Sequence, residues 1–139
     1  MSCGEMVMRL FHARTAAHVA HLQTRSFAEH KALNEFYDEI VGATDEFAET
    51  YQGIFGLIPD FPAMALPAGK ACDWIEALRQ WLKQNRAACC KGETTLENLH
   101  DAITQICAQT CYKLRFLDSG MGSCEPDADD MAYMGMKKW

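Results

Sequence analysis

The sequence predicts an all-α protein, an antiparallel four-helix bundle with one long crossover, and three observations carry that expectation. Four stretches repeat apolar residues at helical spacing. Short breaks bearing Gly, Ser or Thr separate the first from the second and the third from the fourth. The interval between the second and third is long, apolar and rich in proline, as expected where two helical hairpins are joined across the length of a bundle.

Residues 5–23 lack Pro and Gly and place Val7, Leu10, Phe11, Ala17 and Leu22 at helical spacing, with the stem of Arg14 packing among them. Ser26-Phe27-Ala28-Glu29 has the form of a capping box, so a second helix is expected from Phe27. Its apolar face is Leu33, Phe36, Ile40, Ala43, Phe47 and Tyr51, and Gly53 is expected to stop it after Gln52. Residues 53–69 hold Pro59, Pro62 and Pro67 among Phe55, Leu57, Ile58, Phe61, Met64 and Leu66. A stretch this apolar is expected to lie against the bundle, with room for a short helical turn. The third helix is expected over residues 71–90, burying Trp74, Ile75, Leu78, Trp81 and Leu82, until Lys91-Gly92 ends it. Thr94-Thr95-Leu96-Glu97 is a second capping box, opening a helix through Leu99, Ile103, Ile106, Tyr112 and Leu114 to about Leu117. The sequence then turns rich in Gly, Ser and Asp, which divides it into a bundle domain, 1–118, and a C-terminal tail, 119–139. Met131 to Trp139 carries enough Met and aromatic residues to dock on the body or on a neighbour.

One domain is expected at 139 residues, a length that can bury a sufficient core without staples. Asp plus Glu outnumber Lys plus Arg by 19 to 13, and the net charge of -6 repels phosphate backbones, so nucleic acid is not the expected partner. The N-terminus lacks the basic-then-apolar pattern of a secretory signal, and no apolar run is long enough to span a membrane, so a cytoplasmic location is expected. Seven cysteines, an odd number without a CxxC, read as reduced thiols. Cys107 and Cys111 can share a helix face, but two ligands do not make a zinc site, and small buried hydrophobes are the preferred reading.

The main functional signal is the histidines, since His12, His18, His21 and His30 fall in the first thirty residues. Turning 100° per residue from His30, Asn34, Asp38, Asp45 and Glu49 lie at about 40, 80, 60 and 100°. Such a stripe offers a transition metal, iron in particular, mixed nitrogen and oxygen ligands. For Asp38 a merely solvated helix face is the preferred reading. Glu97-x-x-His100 has the form of half a di-iron site, but no second copy exists and Glu97 reads as a capping residue. Neither GxSxG, HExxH nor a phosphate-binding Gly loop occurs.

His18-x11-His30, Leu33-Asn34-x-Phe36 and Asp45-x3-Glu49 together resemble the signature of the Dps proteins, the mini-ferritins of the ferritin superfamily. The resemblance covers roughly residues 10–52, and Cys111-Tyr112-Lys113-Leu114-Arg115-Phe116-Leu117 is similar to the aromatic-rich end of that family's last helix. Residues 21–53 are also similar to small uncharacterised ferritin-like proteins of tailed phages. The resemblance implies a ferritin-like bundle in a homo-oligomer, with iron bound and oxidised between subunits. One subunit would supply a first-helix histidine and His30, and its two-fold partner Asp45 and Glu49. Two departures stand out. The family's second-helix Asp falls on Asn34, a neutral and poorer ligand, and a shorter link between the first two helices leaves either His18 or His21 for the first-helix role. DNA protection is not carried over, because residues 1–9 hold Arg9 as their one base. The sequence therefore leaves two expectations: an iron-binding protein with ferroxidase activity at a subunit interface, through His18, His21, His30, Asp45 and Glu49, or a non-enzymatic, phage-associated oligomer with a structural or interaction role on the same bundle.

Overall fold

The computed structural model describes residues 2–117, so the expected tail lies outside the described residues. Helix α1 spans Cys3–Gln23, α2 Phe27–Phe55, α3 Ala71–Cys90 and α4 Thr94–Tyr112, and a π-helical turn, Lys113–Leu117, follows α4 directly. The protein is an antiparallel four-helix bundle: α1 pairs with α2 and α3 with α4, while α2 packs on α4 and α1 on α3. No helix of the described residues is long and apolar enough to cross a membrane.

Local chemistry sets the helix ends. Ser2 accepts a hydrogen bond from the Glu5 amide at 3.2 Å, which starts α1 two residues before its apolar repeat begins. Ser26 caps α2 in the same way, receiving the Glu29 amide at 3.1 Å. Gly53 does not end α2, contrary to expectation. One glycine inside a helix costs about 1 kcal/mol, too little to stop a helix whose next turns pack Tyr51 against Phe55 with ring centroids 5.0 Å apart. Gly56 ends it instead, at φ 93°, a conformation that favours glycine. Helix α3 ends at Lys91, a non-glycine residue at φ 53°. The Lys91 ammonium donates to the Tyr51 hydroxyl at 2.8 Å and lies 4.6 Å from the Phe55 ring centre, contacts that offset the left-handed backbone. Helix α4 begins without a side-chain cap. Glu97, expected to cap it, instead faces Arg86 at 3.3 Å. Arg86 also grips both oxygens of Asp101, at 2.7 and 2.8 Å, and this fork ties α3 to α4 and holds the Asp101 carboxyl below the usual carboxylate range.

The core is as the apolar repeats require, with Leu33, Phe36, Ile40, Phe47, Ile75, Leu82, Leu96 and Ile103 fully buried. Helix α1 departs from expectation. Phe11 and Leu22 face outward, and the buried side runs through Met6, Val7, Leu10, Ala13, Ala16 and Ala17. Residues 56–70 contain no helical turn. They are pinned by the buried Ile58 side chain, whose amide donates to the Gln52 side chain at 3.1 Å, and by Gly4 of α1. A Cβ on Gly4 would stand 1.7 Å from the Asp60 carbonyl oxygen.

Gly4→Ala therefore sets about 1 kcal/mol of helix propensity against a clash with backbone, which overpacking data place at roughly 1–3 kcal/mol or more. A backbone overlap this deep makes the clash win, so a lower urea midpoint is expected; an unchanged or higher one would show that the crossing strand does not rest on α1.

His100 sits fully buried on α4, its ring 6.4 Å from that of Phe47, with no well-aligned hydrogen bond to either nitrogen. Burial pushes its pKa below the ordinary 6.5, against the pull of Asp101. A depressed folded-state pKa means that the unfolded protein takes up the proton first, so stability present above pH 6.5 falls as the pH drops through that value. Urea titrations at pH 7.5 and 5.5 should show a smaller loss in His100→Leu than in the wild type.

Candidate metal half-site at the α1–α2 turn

Three residues, Thr24 to Ser26, fold α2 back along α1, which sets the last turn of one helix against the first turns of the other. His21, on the last turn of α1, and His30, early in α2, face each other there with ring centroids 3.6 Å apart and planes within 19°. Each ring bonds to the other residue's backbone: His21 Nδ1 to the His30 carbonyl at 2.8 Å, and His30 Nδ1 to the His21 carbonyl at 2.9 Å. A carbonyl can only accept, so both Nδ1 atoms carry the proton and both Nε2 atoms keep the lone pair in the neutral rings. The His21 carbonyl is one of the last four of α1, which have no partner within the helix, so the His30 ring also caps the C-terminal end of α1.

His18, one turn back on α1, stacks on Tyr37 of α2 at 4.2 Å and 19°, and meets His21 edge-on at 5.8 Å. Tyr37 also presents its ring to the edge of His21 at 5.3 Å. Its hydroxyl donates to Asn34 Oδ1 at 2.8 Å, and Asn34 Nδ2 donates to Asp38 at 2.9 Å. The Asn34 amide is thus committed on both sides, and its position holds no charge.

The structure brings His18, His21 and His30 together. It keeps Asp45 and Glu49 away from them, exposed further along α2, about 22 and 28 Å from His30 at 1.5 Å per residue. Among the described residues no three His, Cys, Asp or Glu side chains lie close enough to hold a metal ion. The unpartnered ring nitrogens sealed in the interior belong to His12 and His100 rather than to this cluster. Tyr37 is the member that sequence reasoning missed. It lies at about −20° on the helical wheel centred on His30, at the margin of the polar stripe, and an aromatic residue there reads as core.

Among the described residues the thiols contribute no second site. Burial pushes Cys107 up to about 12 and Cys111 to about 11, and Cys3, Cys89 and Cys90 are raised to about 12, 11 and 11, so these groups stay protonated and pack as small hydrophobes. His100 is in the core and Glu97 pairs with Arg86, so the Glu97-x-x-His100 pair acts in packing and pairing.

Residues 21–114, a span that includes His21, His30 and all of α4, match a family of unknown function, DUF5856. The protein belongs to this family. Over 108 residues it is 31% identical to an uncharacterized 14.6 kDa protein in the mobD-ri intergenic region of Enterobacteria phage T4, a match covering 76% of this sequence and 81% of that protein. No solved structure matches it.

Proposed function

We propose that this DUF5856 protein is half of an iron site: it pairs with a second copy through α2, and the two together bind ferrous iron as in the mini-ferritins that its motif resembles. The observation that carries the reading is the placement of nitrogen and oxygen donors on one stripe of α2, too far apart to share an ion within one subunit. A two-fold axis reverses the direction of a helix. An axis crossing α2 between Glu39 and Ile40 brings His30 of one copy level with Glu49 of the other, and Asn34 level with Asp45. Beside that axis Val41 is 37% exposed, about 20° round from His30, and a Cβ on Gly42 would meet nothing, so a second helix can approach.

Each of the two equivalent sites then draws histidine nitrogen from His30 and a first-helix histidine of one copy, and carboxylate oxygen from Asp45 and Glu49 of the other. This mixed set suits a divalent first-row transition metal. Ferrous iron is the substrate, giving up an electron to dioxygen or peroxide. The residues hold it and, with Asn34 neutral, leave the site one negative charge short of the family pattern.

The second reading, a non-enzymatic assembly or interaction protein on the same bundle, is favoured by that amide, which is already bonded to Tyr37 and Asp38. The phage relative fits either reading.

Anaerobic ferrous titration followed by aerobic oxidation, with size in solution recorded, separates them. Saturable binding lost in His30→Ala and in Glu49→Gln is expected. Mixing those two variants in equal amounts should restore about a quarter of the wild-type sites, because half of the pairs that form are mixed and one of the two sites in each mixed pair keeps both wild-type halves. Absence of binding in an intact oligomer favours the assembly reading, and binding that mixing fails to restore contradicts the shared site.

A further inference from the structure

We infer that His21 is a positioning residue: its reciprocal ring-to-carbonyl bonds with His30 fix the His30 ring with Nε2 free to meet a divalent transition-metal ion, while His21 itself does not share that ion. The inference rests on the proposed metal site and names how one of its ligands is held.

Three features of the geometry support it. A histidine ligand takes a metal close to its ring plane, at about 2.0–2.1 Å from the nitrogen. Rings stacked 3.6 Å apart and within 19° of parallel have planes that do not converge at that distance, so His21 and His30 cannot both direct a lone pair at one ion. The bonds at 2.8 and 2.9 Å assign the same tautomer to both rings and prevent either from turning its Nδ1 outward. A ring nitrogen bonded to a backbone carbonyl is also how metal-ligating histidines are commonly oriented; here that carbonyl is the main chain of His21, and the His21 ring braces it by stacking on His30 and bonding the His30 carbonyl in return.

His18 differs on each count. It lies at 67° to His21 and is held through its ring face by Tyr37, with no carbonyl bond fixing its tautomer. The ring planes decide between the two first-helix histidines: His21 is stacked nearly parallel to His30 and His18 is not, which leaves the ligand role to His18 and the support to His21.

The test uses the full-length protein, with Co2+ alone as a spectroscopic probe and ferrous iron as a second titrant. Nitrogen NMR of the histidine rings in the metal-free protein should show Nδ1–H tautomers at both His21 and His30. His21→Leu keeps the main-chain carbonyl that holds the His30 ring but loses the bond to the His30 carbonyl that braces the turn, so it should weaken Co2+ binding by up to roughly tenfold while the spectrum of the bound ion keeps the wild-type number of nitrogen ligands. His21→Asn, whose side-chain amide can donate to the His30 carbonyl, should recover most of the affinity. Loss of a nitrogen ligand from the spectrum of His21→Leu would make His21 a ligand and overturn the inference, as would wild-type affinity in that variant or an Nε2–H tautomer at His30 in the wild type. If His21→Leu does not fold, His21→Asn and the tautomers decide. A wild type that binds neither ion ends the metal reading itself, an outcome distinct from binding that ignores His21.

Discussion

The close antiparallel pairing of α1 with α2 is the constraint on which the rest of the molecule depends. The two helices are joined by the three-residue link Thr24-Arg25-Ser26 and meet beside it through the facing rings of His18 and Tyr37 and of His21 and His30. A link that short brings the unpaired carbonyls at the end of α1 within reach of side chains from the start of α2. The ring of His30 takes the His21 carbonyl, and His21 returns the bond. The histidine cluster is therefore a consequence of how the hairpin closes. The turn and the candidate site cannot be varied independently.

The second hairpin is held differently. Helices α3 and α4 meet through the Arg86 fork on Asp101 at the surface and through fully buried Leu82, Leu96 and Ile103 inside. An exposed pair of this kind is screened by water and contributes little, so register here is set mainly by the apolar layer. The strand between the hairpins is fixed at its start by Ile58 and by the contact of Gly4 with Asp60. Further on, its outer side chains Phe61 and Leu66 remain about half exposed. Position 4 has no Cβ because the strand crosses the end of α1 at backbone distance.

Much of this was legible in the sequence. The period of Leu33, Phe36, Ile40, Phe47 and Tyr51 defines the buried face of α2, and residues 71–90 are α3 to the residue, because apolar spacing and glycine stops are local signals. What failed was tertiary in origin. Gly53 stops nothing, since neighbouring aromatic packing outweighs its propensity. Phe11 and Leu22 have helical spacing but lie off the side of α1 that the rest of the bundle covers. The histidines were visible as a cluster in sequence, and that His18, His21 and His30 meet follows from two helices and a short link. Their tautomers and the role of Tyr37 were not visible, because both depend on rings and carbonyls that lie across the turn from one another. Glu97 read as a cap because its spacing from Thr94 is right, but its carboxylate has a stronger partner in Arg86.

Asn34 bears on how such a pair of subunits would assemble. A two-fold axis can match two residues of one helix with two of its copy only when the spacing within each pair is equal, and His30–Asn34 and Asp45–Glu49 are both four apart. In that register position 34 faces Asp45 across the interface. A carboxylate at 34 would place two like charges together, a contact that needs a cation to offset it. An amide removes the repulsion, and this one is already turned towards Tyr37 and Asp38. The pairing would then be stable without metal, and metal binding would be weaker for want of one charge. In the proposed pair, asparagine at position 34 would let assembly proceed independently of iron, with the cost falling on affinity rather than on the interface.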